Sequence, residues 1–276
     1  MSISEDSTAG EHVSLSDGTR LYVEQHGSEG VCLVMIPGWA YSCEVFRPAL
    51  PYLAKNHRVV MYDPRGHGRS SAASDGHNYR QHGDDLAELI GLLRLHQVVL
   101  VGWSLGVYDA LSYVQAYGNE GVLGLVLVDE SPQIIRSDEN AWGEGSEEEV
   151  AGLISLVRSS FLGFFRDYMV SGFVEPPPGD VVDRFVDAAE TLTATQAADL
   201  LQDATRYDFT DLLRSLDDVL PILHVLREDW SVQATRWIEQ NQPSANHFTL
   251  GNHLMLMEFP DQFSNRVMQF VDSVGA

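Results

Sequence analysis

Lysine is nearly missing from this 276-residue chain: Lys55 is the only one among seventeen basic side chains, set against forty Asp and Glu. The net charge of −23 repels phosphate backbones and anionic lipid, so neither nucleic acid nor a membrane surface is an expected partner. That acid excess fits solubility alone, with adaptation to a saline medium, in which ions screen self-repulsion, as the sharper and less favoured alternative. Cysteine is scarce as well. Cys32, inside an apolar run, and Cys43 nearby build neither a disulfide framework nor a metal site, and read as small core residues of a reduced compartment. No run approaches the ~20 apolar residues of a membrane span. Met1 to His12 is polar and acidic rather than a signal segment, so a cytoplasmic location is expected. Internal repeats and low-complexity linkers are also missing. What is present is a 44% hydrophobic composition, enough for a sizeable core.

The apolar residues fall into an alternation of strands and helices. His12 to Glu24 alternates around Asp17-Gly18 and predicts a hairpin. Val31–Ile36, Arg58–Tyr62, Val98–Val101 and Val122–Val128 are apolar runs that fit strands buried on both faces. Between them lie helical patterns over about 43–54 and 77–95 and a third beginning after Gly106. From Gln133 to Ser215 no strand is evident, only helical segments broken at Pro176-Pro177-Pro178-Gly179. Alternation returns with Leu220–Leu226, a helix through Trp237, a strand at His247–Leu250 and a last helix over about 260–274. The expected fold is a doubly wound, mostly parallel α/β sheet. Its core is 1–132 plus 216–276, and a helical lid, 133–215, is inserted after the sixth strand.

The chemically informative stretch runs from Val98 through Gly102-Trp103-Ser104-Leu105-Gly106. A serine between a strand end and a helix start sits on a sharp turn that pushes its hydroxyl into the open. The flanking glycines leave room for the strained backbone, and the helix N-terminus behind it offers unpaired N–H groups to an oxyanion. Ser104 is therefore the candidate nucleophile. It needs a base, and ten histidines compete for that role; His253 lies between a strand end and the last helix, after Gly251-Asn252. His77 and His82 are five apart, which does not match one metal-binding helix face, and His224 lies within a strand. No metal site and no cofactor are expected.

With Gly102-Trp103-Ser104-Leu105-Gly106, the Asp63-Pro64-Arg65-Gly66-His67-Gly68-Arg69-Ser70 loop and Gly251-Asn252-His253 in order, the chain resembles the α/β-hydrolase superfamily over nearly its whole length. Within it, the likeness is to small bacterial esterases and cofactor-free haloperoxidase-type hydrolases. The resemblance implies a Ser104, acid, His253 order, and a loop-structural role for His67. The acid is expected three residues past a glycine after the Leu220–Leu226 strand, but there Arg227 replaces the glycine and Trp230 stands where the acid belongs. Asp229 is one position early. Asp129, at the end of Leu125-Val126-Leu127-Val128, is the position some members use instead, and is preferred over Asp229. Pro37-Gly38-Trp39 replaces the usual His-Gly-x turn, so the oxyanion donors are expected to be the Trp39 and Leu105 amides.

The expected reaction is cleavage of small apolar esters through an acyl-enzyme, with perhydrolase or haloperoxidase side activity. Trp103 and the lid aromatics Phe161 and Phe165 are expected to contact substrate, within a lid segment that also carries Leu162, Phe164, Tyr168, Met169 and Phe173. Two rivals share the fold: a cofactor-free dioxygenase of a hydroxyquinolone-type ring, and a receptor for a small apolar ligand.

Overall fold

The computed structural model describes residues 10–136, 138 and 141–275. Met1 to Ala9, part of the polar, acidic stretch read in the sequence, lies outside the described residues, as do three positions near the start of the lid segment.

Eight strands form one sheet: β1 (Glu11–Ser14), β2 (Arg20–His26), β3 (Cys32–Ile36), β4 (Arg58–Tyr62), β5 (Val98–Trp103), β6 (Val122–Val128), β7 (Ile222–Leu226) and β8 (Asn246–Thr249). Their spatial order is β1-β2-β4-β3-β5-β6-β7-β8. The first two pairings, β1 with β2 and β2 with β4, are antiparallel, and every later pair is parallel. β3, β5 and β7 are buried at every position, which is why their sequences are apolar runs rather than alternating ones, broken only by His224 in β7. Strand order reverses at β3 and β5, and the crevice outside their carboxyl ends is where such sheets bind ligands.

The helices are α1 (Leu50–Leu53), α2 (Tyr79–Leu92), α3 (Gly106–Tyr117), α4 (Glu147–Ser171), α5 (Gly179–Ala189), α6 (Ala194–Ala204), α7 (Thr210–Leu216), α8 (Ser231–Asn241), α9 (Met255–Glu258) and α10 (Pro260–Val274). The pattern over 43–54 predicts one helix. The structure instead has a 3₁₀ turn at Cys43–Phe46 and the single turn of α1. Pro48 and Pro51 lack the N–H groups that a continuous helix would need.

Helices α4–α7 form the insertion between β6 and β7. α4 starts on a reciprocal cap, with Ser146 Oγ accepting from Glu149 N and Glu149 Oε2 accepting from Ser146 N, and three glutamates follow in its first turn beside the positive dipole end. It is bent at Ser160, whose φ and ψ of −151° and 53° leave the helical region. Past the bend, Phe161, Phe165 and Met169 recur at i, i+4 and i+8 and are buried. Phe164 and Tyr168 form a second stripe beside them.

Candidate active site

Four loops converge at the carboxyl edge of the sheet. Ser104 follows β5, Asp129 follows β6, Trp39 lies after β3, and His253 lies between β8 and α9. Ser104 and Asp129 both hold positive φ, 52° and 53°, a conformation costing of order 1–3 kcal/mol for a non-glycine residue. Backbone pairing enforces it: Ser104 N donates to Val128 O at 2.8 Å, and Asp129 N to Val225 O at 2.8 Å. Gly38 is a glycine because a Cβ there would sit 2.6 Å from Ser104 Cβ. This close approach brings the Trp39 backbone beside the serine. Among the described residues the N–H groups of Trp39 and Leu105 have no hydrogen-bond partner, and both residues line the same cavity as Ser104.

Asp129 Oδ2 and His253 Nδ1 lie 2.6 Å apart, with the carboxylate fully buried and the imidazole 6% exposed. With that carboxylate accepting from Nδ1–H, Nε2 is left as an acceptor. Asp129 Oδ1 is buried without a partner, and Arg227 Nη1 stands 3.5 Å from Oδ2. Asp229 sits elsewhere: it is 70% exposed and pairs with Arg227 Nε at 2.9 Å.

The His253 loop is fastened from three sides. Leu254 N donates to Gly172 O at the end of the insertion's first helix, Glu228 N donates to Gly251 O, and Trp103 Nε1 donates to His253 O at 2.8 Å. The Trp103 and His253 rings lie 4.8 Å apart.

The contact at His253 Nε2 is not with the serine. Tyr168, from α4, places its hydroxyl 3.0 Å from Nε2. Burial pushes the Tyr168 phenol well above its ordinary pKa, so it is a protonated donor. Ser104 Oγ has no hydrogen-bond partner among the described residues. The structure thus joins Asp129 to His253 directly, and sets Ser104 and Tyr168 on one cavity.

That cavity measures about 80 Å³. Trp39 and Leu105 from the core and Phe164, Tyr168, Ile154 and Leu201 from the insertion line it together with Ser104. The three side chains expected to touch substrate stand behind this wall. Trp103 is fully buried against Tyr41 and His253, while Phe161 and Phe165 pack their edges on Trp39. They belong to the buried stripe of α4, and the neighbouring Phe164/Tyr168 stripe faces the cavity.

Two residues with no local signature in the sequence also line it: Glu130 and Glu144. Glu130 is 4% exposed. Burial, then the Glu144 charge, push its carboxyl well above the usual carboxylate range. Glu144 is raised as well, chiefly by burial and against the pull of Arg227, whose Nη2 is 3.7 Å from its Oε2.

Three further buried histidines are bonded away from this cavity. His67 is buried with Nδ1 on Arg65 O at 2.8 Å, and burial brings its pKa down to about 3. His82, on α2, meets Asp109 of α3 at 3.1 Å. His224 bonds Gln242 through Nε2, but its Nδ1 has no partner. Cys32 and Cys43 are free and buried. No helix among the described residues is long and apolar enough to cross a membrane.

Residues 31–172, about half the chain, match the family model for the alpha/beta hydrolase fold. A non-heme haloperoxidase from Rhodococcus erythropolis is 28% identical over 229 residues, covering 77% of this chain and 80% of that protein. An esterase from Rhodococcus sp. ECU1013 superposes with a TM-score of 0.81 at 25% identity, over 97% of this chain and 100% of the other. An esterase from Exiguobacterium antarcticum gives 0.85 at 22% identity, over 96% and 100%. The strand order, the insertion after β6, the turn at Ser104 and these likenesses agree: the chain belongs to the α/β-hydrolase family.

Proposed function

We propose that this protein is a serine carboxylesterase acting on small esters through Ser104, His253 and Asp129. The observation that carries the reading is the buried 2.6 Å contact between Asp129 and His253, with the imidazole packed at a tilt against the Trp103 ring that precedes a strained serine. A carboxylate so placed fixes the imidazole tautomer and stabilises the imidazolium that forms when His253 takes the Ser104 proton. Ser104 Oγ then bonds to the ester carbonyl carbon, and the oxyanion rests on the unpaired Trp39 and Leu105 amides. His253 returns the proton to the leaving alcohol, and water repeats the sequence on the acyl-enzyme. For the first step Nε2 must exchange its bond to Tyr168 for one to Ser104, a rearrangement of the kind by which catalytic hydrogen bonds tighten in a substrate complex.

The relatives include proteins named as a non-heme haloperoxidase and a bifunctional esterase/perhydrolase. Hydrogen peroxide replacing water at the acyl-enzyme gives a peracid and free serine, so a perhydrolase side activity follows from the same residues. Hydrolysis of p-nitrophenyl acetate, lost in Ser104→Ala, is the expected result. A variant that still turns over, or a wild type that binds short esters without cleaving them, contradicts it; the latter favours a receptor.

A further inference from the structure

The cavity beside Ser104 is not the plain apolar slot that a simple ester requires. Glu130 is the anomaly. Its Oε1 accepts from its neighbour Ser131 N at 2.9 Å, while Oε2 has no hydrogen-bond partner among the described residues, in a side chain more than nine-tenths buried that lines the cavity. Glu144 faces the same space, with 35% of its side-chain surface open. The nearest cation, Arg227, does not line the cavity and is shared among Asp129, Asp229 and Glu144. An apolar acyl group placed here would bury Glu130 Oε2 with nothing to bond, and an anionic one would meet two carboxyls.

We infer that the cavity recognises a primary ammonium group on the acyl side of the ester, held by Glu130 and Glu144, so that the preferred substrates are esters of small amino acids. This rests on the serine-esterase reading and gives it a substrate class. An ammonium supplies three donors and the positive charge that two carboxyls crowded on one cavity lack, so its arrival favours their ionised, accepting form at the free Oε2 and at Glu144. Trp39, Phe164 and Tyr168 present ring faces or edges to the same space, and aromatic faces attract a desolvated cation. The net charge of −23 raises the local concentration of cationic substrate.

Size adds a limit. A dry cavity of roughly 150 Å³ accommodates benzene, about six non-hydrogen atoms, so about 80 Å³ takes about three. That is the size of the aminomethyl or aminoethyl arm that a glycyl or β-alanyl ester carries beyond its carbonyl carbon. The acyl part is the one to fit, because it stays bound through both half-reactions while the alcohol leaves.

The test compares isosteric pairs, ethyl glycinate against ethyl propionate and ethyl β-alaninate against ethyl butyrate, by titration of released acid at a pH where the amines are protonated. The wild type is expected to favour at least one ammonium ester over its uncharged isostere by roughly tenfold or more in kcat/KM, the scale of one charge-assisted hydrogen bond. Glu130→Gln keeps an oxygen for Ser131 N and removes the carboxyl that would ionise against the bound ammonium. It should cut that ratio about tenfold, whereas a folding defect lowers both esters together and leaves the ratio unchanged. A wild type that prefers both uncharged esters, or a ratio unaltered by Glu130→Gln, overturns the inference.

Should no ester be cleaved, the serine reading fails by itself, and binding then decides. Propylammonium chloride is expected to raise Tm above matched sodium chloride and 1-propanol in the wild type but not in Glu130→Gln. An equal response to all three in the wild type overturns it.

Discussion

Replacing Asp129 by Asn changes one atom and removes the charge that faces His253. The carboxylate is fully buried and 2.6 Å from Nδ1. An amide at that distance presents either a neutral acceptor or an N–H donor. In the second orientation the ring keeps its proton on Nε2 and cannot accept one from Ser104. Even in the first, the imidazolium formed during acylation is left without its counter-charge in a desolvated site. The expected loss in kcat is of order 10⁴-fold, about 5 kcal/mol in the barrier. Stability should change little, because Asp129 Oδ1 has no partner to lose and Arg227 keeps Asp229 and Glu144. Asp229→Asn removes only a 70% exposed pair and should alter the rate less than about fivefold, the span of a surface ion pair. Steady-state hydrolysis of p-nitrophenyl acetate by both variants, with Tm measured alongside, separates the cases. An Asp129→Asn enzyme within about tenfold of wild type, or an equal collapse in Asp229→Asn, would refute the reasoning.

Tyr168→Phe deletes the hydroxyl that occupies His253 Nε2 at 3.0 Å. Freed of a competing bond worth about 0.5–1.5 kcal/mol, the enzyme should gain roughly two- to tenfold in kcat/KM; a loss of that size would show that the hydroxyl assists turnover. Gly38→Ala forces a methyl to 2.6 Å from Ser104 Cβ, displacing the Trp39 amide, so kcat should fall about 10²–10³-fold, the value of one oxyanion donor, and a near-normal rate would contradict that placement. His67 is neutral in the fold, with its pKa lowered to about 3 from 6.5 by burial. Between those values only the unfolded chain binds the proton, so stability falls as pH drops through that window, by about 1.4 kcal/mol per pH unit. Denaturant melts of His67→Gln between about pH 4.5 and 6 should show a slope flatter by that amount, and unchanged slopes would contradict a neutral buried His67.

The strands were legible because a strand buried on both faces leaves a continuous apolar run, and β3, β5 and β6 carry one each. The turn at Ser104 was legible because glycine is required where backbones crowd. Asp129 stands out only through a mismatch: Trp230 occupies the place where an acid is expected, and Asp229 beside it points to Arg227 and solvent. Other features depend on contacts between distant segments. Tyr168 and His253 are 85 residues apart, and nothing local marks a tyrosine that will cap an imidazole. On α4 the sequence shows aromatic residues on two adjacent stripes, but which stripe faces the cavity is set by the bend at Ser160 and by Trp39 receiving Phe161 and Phe165. Glu130 and Glu144 look like surface acids among forty, and only the closing of the insertion over the sheet edge makes them part of the cavity wall.

The account turns on Ser104 being acylated with His253 as its base. Brief exposure to a slow p-nitrophenyl ester, acid quench and peptide mass spectrometry measure this directly. The acyl mass should appear on the peptide containing Ser104 in the wild type, be lost in Ser104→Ala, and accumulate at least about a thousandfold more slowly in His253→Ala. Acyl mass on another residue, or labelling of Ser104 at an undiminished rate without His253, would contradict it.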